Sequence, residues 1–177
     1  KFLDTITGTA ELTFGLLIAL ARQIPAGLDS VKNYEWDREK FRGHSLQGKT
    51  LGLVGLGRLG KMMARYGSAF GMNIIFFDPH KSQKDAAKLK CKKVSFGDLL
   101  TKSDVISVHV HLNPETENMF NKAVFARMKP VAYLVNTSRG KIVNEKNLLE
   151  ALKNKKIAGY ATDVLADELN FDKKFKN

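Results

Sequence analysis

The feature that most constrains this chain is a glycine-spaced turn, Gly55-Leu56-Gly57-Arg58-Leu59-Gly60, set directly after the short apolar run 50–54. The segment beyond it carries Met62, Tyr66, Ala69 and Phe70 on one helical face and closes at Gly71. Between a strand and a helix, such a turn meets three demands. The first glycine allows a tight turn, the second lets backbone approach a pyrophosphate, and the third lets the helix pack closely on the strand. Amides at the helix start then face the anion. An acidic residue, Asp78, ends the next apolar run, near the spacing of about 20 residues at which such folds place a ribose ligand. A carboxylate there accepts both ribose hydroxyls and repels a 2′-phosphate, so NAD is expected over NADP, with His80 and Lys81 tempering the preference. The plainer alternative is that Asp78 caps a turn with Pro79.

Further apolar runs at 74–77, 105–110, 132–135 and 157–162 alternate with helical segments near 98–102, 122–128 and 145–152. Continuous apolar strands alternating with amphipathic helices imply a parallel sheet covered on both faces. The right-handed crossover rule makes this a doubly wound α/β, Rossmann-like domain. Ahead of it, Leu12, Leu16, Leu17, Leu20 and Ile24 mark a helix with Thr9 as its cap and Pro25 as its end. Residues 26–48, which hold the only tryptophan, Trp36, read as an irregular but ordered connection. One domain is expected over 1–177: an N-terminal helix and connection (1–48) and a dinucleotide-binding core (49–177).

The net charge of +11 raises the question of nucleic acid, but the lysines are scattered over helices and loops. No zinc-ligand set, aromatic platform or clear helix-turn-helix accompanies them, so no nucleic-acid partner is expected. Such a charge steers anionic ligands towards the protein. Cys91 is the single cysteine and fits a reducing compartment. The apolar stretch 12–21 is too short to span a bilayer. Asp4 and Glu11 also spoil a signal-peptide reading, so no membrane partner and a cytoplasmic location are expected.

Several separated segments resemble one family. Residues 46–52 run into the glycine turn, and Ser103-Asp104-Val105-Ile106-Ser107-Val108-His109 precedes Pro114-Glu115-Thr116. Asn136-Thr137-Ser138-Arg139-Gly140 is followed by Ile142-Val143, Ala151-Leu152, and finally Asp163-Val164 with Glu168. In this order and spacing they resemble the NAD-binding domain of the D-isomer-specific 2-hydroxyacid dehydrogenases. The resemblance implies a homodimeric oxidoreductase that exchanges a hydride between NAD and a D-2-hydroxy or 2-keto acid. It makes Arg139 the residue that holds the substrate and polarises its C2 oxygen, and Glu168 the partner of a catalytic histidine. It assigns cofactor contacts to Gly55, Gly57, Arg58, Leu59, Gly60, Asp78, His109, Thr116 and Thr137, and to Asp163 at the nicotinamide carboxamide.

The match has gaps and departures. The family's histidine follows the glutamate in a Pro-His segment, whereas His44, His80, His109 and His111 all precede Arg139. The family's substrate domain lies mostly ahead of the dinucleotide fold. The chain is therefore expected to be a fragment, inactive alone. His111 stands where the family often has proline, and Leu169 follows Glu168 where proline is common. His109 and His111 alternate, but no third ligand is evident and no metal site is expected. An NAD-responsive, corepressor-like binding module stays open as an alternative function, and the substrate's identity is not legible.

Overall fold

The computed structural model describes residues 2–167. Two helices, α1 (Phe2–Ala21) and α2 (Ile24–Lys32), precede the core. The core runs β1 (Thr50–Val54), α3 (Arg58–Ala69), β2 (Asn73–Phe77), β3 (Cys91–Lys93), α4 (Phe96–Lys102), β4 (Val105–Val108), α5 (Lys122–Arg127), β5 (Tyr133–Asn136), α6 (Glu145–Lys153) and β6 (Gly159–Thr162). The six strands form one sheet in the order β3-β2-β1-β4-β5-β6, with every pairing parallel. This is the expected doubly wound fold. The chain winds outward from β1 to β3, then returns to the other side of β1, opening a crevice where the winding reverses.

Strand alternation explains why the apolar runs are continuous. Leu51, Leu53, Ile74, Phe76, Val105 and Val135 enter one core layer with Phe14 and Leu17 of α1 and Met63 and Ala64 of α3. Their neighbours Val54, Ile106, Val108 and Leu134 enter a second layer with Leu99 and Leu100 of α4, Phe125 of α5 and Leu148 of α6. A strand buried on both faces has no polar face to alternate with. Each fully buried large side chain contributes about 1.5–3 kcal/mol.

The structure corrects three local expectations. Thr9 is not a cap, because α1 begins at Phe2, and the Thr9 carbonyl accepts from the Thr13 hydroxyl at 2.7 Å. Pro25 does not end α1. It sits in the first turn of α2, where its fixed φ is already helical. The break falls at Gln23, in the left-handed region (φ 54°), so the connection read as irregular from residue 26 is helical up to Lys32. On α3 the residues of the Met62–Tyr66–Phe70 stripe are not the buried ones. Gly60, Met63, Ala64 and Gly67 are buried, whereas Tyr66 and Phe70 meet the Phe14 ring of α1 at 5.8 and 4.8 Å. Finally, β3 went unread, since a three-residue edge strand of sequence Cys-Lys-Lys has no apolar period.

Among the described residues no single helix is long and apolar enough to cross a membrane. The pair α1–α2 passes that test together but is bent by 64°, and α1 buries Ala10, Thr13, Phe14, Leu17 and Ala21.

Candidate cofactor-binding site

The strand register lines up the residues singled out in the sequence. Val54 pairs with Phe77 and Val108, Val108 with Asn136, and Asn136 with Thr162. Gly55, Asp78, His109, Thr137 and Asp163 each follow one of these paired residues, so they stand side by side at the carboxyl ends of five parallel strands. A cleft of about 360 Å³ opens there, lined by Gly57, Arg58, Leu59, His109, Thr137 and Arg139, among others.

The three glycines do three different jobs. Gly55 has φ 94°, and a Cβ on it would lie 2.7 Å from the His109 carbonyl oxygen. A Cβ on Gly60 would fall inside contact distance of the Gly55 carbonyl oxygen, so only glycine lets α3 begin this close to the turn. Gly57 differs: a Cβ there would meet nothing within 4 Å. Its missing side chain leaves space on the cleft side of the α3 N-terminus, where Gly57 makes no side-chain cap. That is a cradle for an anion.

Asp78 is 9% exposed. Its Oδ2 accepts the Leu56 amide at 2.8 Å, holding the glycine turn, and its Oδ1 accepts the His80 amide at 2.8 Å. The turn-capping alternative is thus present, and the strut to Leu56 was not foreseen. Each carboxylate oxygen keeps further acceptor capacity.

Among the described residues that line the cleft, His109 is the one with buried side-chain polar atoms that have no partner. Both ring nitrogens are buried and have no hydrogen-bond partner. Burial pushes its pKa down to about 3, so the ring is neutral at physiological pH. An orphaned buried imidazole costs about 1–3 kcal/mol, and a bound ligand is what would offset it.

Thr137 is engaged elsewhere. Its Oγ1 lies 2.6 Å from Thr13 Oγ1, and Thr13 already gives its proton to Thr9, so Thr137 is the donor. Asn136, fully buried, shapes the next turn: its Nδ2 donates to the Arg139 carbonyl and its Oδ1 accepts the Ser138 amide. Arg139 is exposed at the cleft and donates from Nη1 to the Ser138 carbonyl at 2.7 Å. Beside it, a Cβ on Gly140 would collide with the Leu165 backbone, so glycine seats that loop tightly. Ala166 is then tied to Glu145 Oε1 at 2.7 Å.

Other expected residues stand apart. Thr116 lies outside the cleft lining, and its hydroxyl donates to the His111 carbonyl at 2.6 Å, stapling the loop after β4. Asp163 is exposed just past β6. Glu168 lies outside the described residues. The cleft also gathers Ile6, Thr9, Val110, His111 and Ser138. Ile6 and Thr9 come from the start of α1, a long-range approach with no local sequence signal. Among the described residues, no group of three or more His, Cys, Asp or Glu could hold a metal ion.

Residues 14–176 match the family model "D-isomer specific 2-hydroxyacid dehydrogenase, NAD binding domain". The chain belongs to this family. It is 44% identical over 160 residues to the D-3-phosphoglycerate dehydrogenase of Methanocaldococcus jannaschii, a match covering 90% of this chain and 30% of that protein. The D-lactate dehydrogenase from Aquifex aeolicus, solved with NAD and lactic acid, superposes with a TM-score of 0.88 at 35% identity, covering 94% of this chain and 50% of that one. The NAD-dependent formate dehydrogenase from Staphylococcus aureus, in complex with NAD, gives 0.87 at 38% identity, with 93% and 49% covered. The domain spans about half the length of these solved relatives and under a third of the phosphoglycerate enzyme. Its orphaned His109, open Gly57 and anion-ready α3 start fit the NAD that this family's domain binds.

Proposed function

We propose that this domain serves an NAD-dependent oxidoreductase that interconverts a D-2-hydroxy acid and its 2-keto acid. The observation that carries this reading is the meeting, in one cleft, of the bare α3 N-terminus and the exposed Arg139. NAD, when bound, supplies the hydride acceptor or, reduced, the donor. The rest is the work of this chain's own groups. Amides at Gly57, Arg58 and Leu59 receive the pyrophosphate, and Gly55 and Gly60 hold their turn against β1. Asp78 accepts the adenosine ribose hydroxyls with the capacity its two backbone bonds leave free, which favours NAD over NADP. His109, neutral, offers one donor and one acceptor nitrogen to the cofactor. Thr137 offers only its lone pair and methyl, its proton being given to Thr13. Thr116 acts by fixing its loop, and Asp163 orients the carboxamide.

Arg139 grips the substrate carboxylate or the C2 oxygen through its planar fork. A charge-assisted bond of this kind contributes about 1.5–3 kcal/mol, and it strengthens as negative charge grows on the C2 oxygen during reduction. Glu168 is assigned the pairing that raises a histidine's pKa, so that the imidazole gives a proton to the reduced oxygen and takes it back in reverse. The alternative, a cofactor-responsive binding module, gains no support from the cleft or from the relatives.

We assign the domain to the cytoplasm and to a homodimer. Ile24, Leu28 and Val31 form one exposed apolar edge of α2, and Trp36 beyond it is 80% exposed. Sedimentation of wild type against Leu28→Glu tests this, a dimer turning to monomer being expected. The catalytic reading is tested in the natural protein that carries this sequence, by following reduced-nicotinamide consumption with a panel of 2-keto acids. Turnover that falls about a hundredfold or more in Arg139→Ala is expected. A protein that binds NADH but moves no hydride to any 2-keto acid overturns the reading.

A further inference from the structure

Thr13 is fully buried on α1 and lies behind the cleft, yet its hydroxyl stands between two residues that line it. Its Oγ1 donates to the Thr9 carbonyl, one turn back along the helix, at 2.7 Å and lies 2.6 Å from Thr137 Oγ1 at the end of β5. A carbonyl only accepts, so the Thr13 proton is committed to Thr9 and Thr137 donates across the second contact. Thr137 is 7% exposed. With its proton given inward, the only hydrogen-bonding capacity its side chain keeps is acceptance. Nothing in α1 itself calls for a hydroxyl at this position. The other buried residues among those described in the helix, Ala10, Phe14, Leu17 and Ala21, are all apolar. A threonine that bonds back to its own helix slightly destabilises it.

Sheet order decides which part of a dinucleotide reaches Thr137. Asp78 follows β2 and Gly57 follows β1, so adenosine and diphosphate belong to that side of the crevice. Beyond β1 come β4 and β5, where Thr137 stands beside His109 and just ahead of Arg139. The nicotinamide half extends there. We propose that Thr13 is a positioning residue for the cofactor: it holds the Thr137 proton inside the protein and so makes Thr137 a fixed acceptor for a hydrogen-bond donor on the nicotinamide half of NAD. That donor is the carboxamide N–H or a hydroxyl of the adjoining ribose. This rests on the NAD-site reading above. Thr13 touches no ligand and acts through Thr137. Without its hydroxyl, Thr137 turns its proton towards water in the empty cleft. A cofactor donor then displaces that water and leaves the proton facing an apolar group. The penalty falls on the complex, where an unpaired buried donor weakens binding about five- to fiftyfold.

The test is equilibrium binding of NADH, ADP-ribose and ADP to the natural protein that carries this sequence, followed by nicotinamide fluorescence and calorimetry. Thr13→Val keeps the side chain's shape without its hydroxyl, and Thr13→Ser keeps the hydroxyl. Thr13→Val is expected to bind NADH about five- to fiftyfold more weakly than wild type. ADP, which ends at the diphosphate, should bind it as tightly as wild type, and Thr13→Ser should restore NADH affinity. ADP-ribose has the second ribose but no carboxamide. It weakens along with NADH if the donor is a ribose hydroxyl, and keeps its affinity if the donor is the carboxamide. In a Thr137→Val background, Thr13→Val should add no further loss, because the acceptor is already gone. Unchanged NADH binding in Thr13→Val, equal weakening of NADH and ADP, or a loss that Thr13→Ser fails to restore overturns the proposal while leaving the cofactor site intact. Failure of folded wild type to bind either NADH or ADP overturns the cofactor reading and this proposal with it. Circular dichroism confirms folding of each variant.

Discussion

At the amino ends of the strands, Asp104 engages both carboxylate oxygens inside the protein. One accepts the Thr50 amide and the other the Lys129 ammonium, at 2.8 and 2.9 Å. At the carboxyl ends of the same strands, the His109 ring nitrogens have no partner and Gly57 faces open space. The two ends share strands, register and core layers, so the contrast is not one of fold quality. One end closes its polar accounts and contributes stability. The other leaves hydrogen-bonding capacity unmet, which is the state a site must hold before its ligand binds.

The sharpest break of this comparison is Gly60→Val. Its side chain would enter the Gly55 carbonyl, so a stability loss of about 3 kcal/mol or more is expected, together with loss of NADH binding. Chemical denaturation and titration on one sample check both.

Asp104→Asn acts on the other end alone. A loss of about 2 kcal/mol is expected at neutral pH, with NADH affinity unchanged. Burial raises the Asp104 pKa, but the Thr50 amide and Lys129 outweigh it and leave the carboxyl below its ordinary value. A depressed carboxylate contributes stability that is fully present above the unfolded pKa of about 3.9 and lost as pH falls through the folded value. Denaturation below about pH 4 should therefore narrow the gap between wild type and variant.

His109→Leu gives a smaller effect of opposite sign. Removing a buried, unpartnered imidazole should raise stability by about 1 kcal/mol at pH 7 while weakening NADH binding. The folded pKa of about 3 lies below the ordinary histidine value. The unfolded chain therefore binds the extra proton below about pH 6.5, and wild type loses stability as pH falls there. From pH 6.5 to 5 this loss is about 2 kcal/mol, and it should vanish in the variant. Melting curves across that range measure it.

The central strands were legible because they are largely buried, so the apolar signal in β1, β2, β4 and β5 was nearly continuous, with Ser107 a buried polar residue within it. The helix faces were less so. On α3 the sheet contact is made by Gly60, Met63, Ala64 and Gly67, mostly small residues, and the aromatic stripe that caught the eye belongs to the contact with α1. Residues at strand ends were readable as a site because the parallel topology gathers them whatever their spacing in sequence. Thr9 and Ile6 were not, since they reach the cleft only through the folding of α1 over β5 and β6. The hydroxyl relay from Thr137 through Thr13 to Thr9 shows how tertiary contact assigns a proton that sequence leaves free. Thr116 likewise carries a family motif, yet its hydroxyl fixes a loop.

The most direct test of the account is NADH titration of Gly57→Val beside wild type. Gly57 has an ordinary extended backbone (φ −72°, ψ −161°) and nothing near its missing Cβ, so the substitution fits the ligand-free fold. The account expects a variant that melts within about 1 kcal/mol of wild type and has lost NADH affinity by about a hundredfold, because valine fills the cradle where a diphosphate must lie. A folded Gly57→Val that binds NADH as tightly as wild type would contradict the placement of the cofactor at the carboxyl ends of these strands.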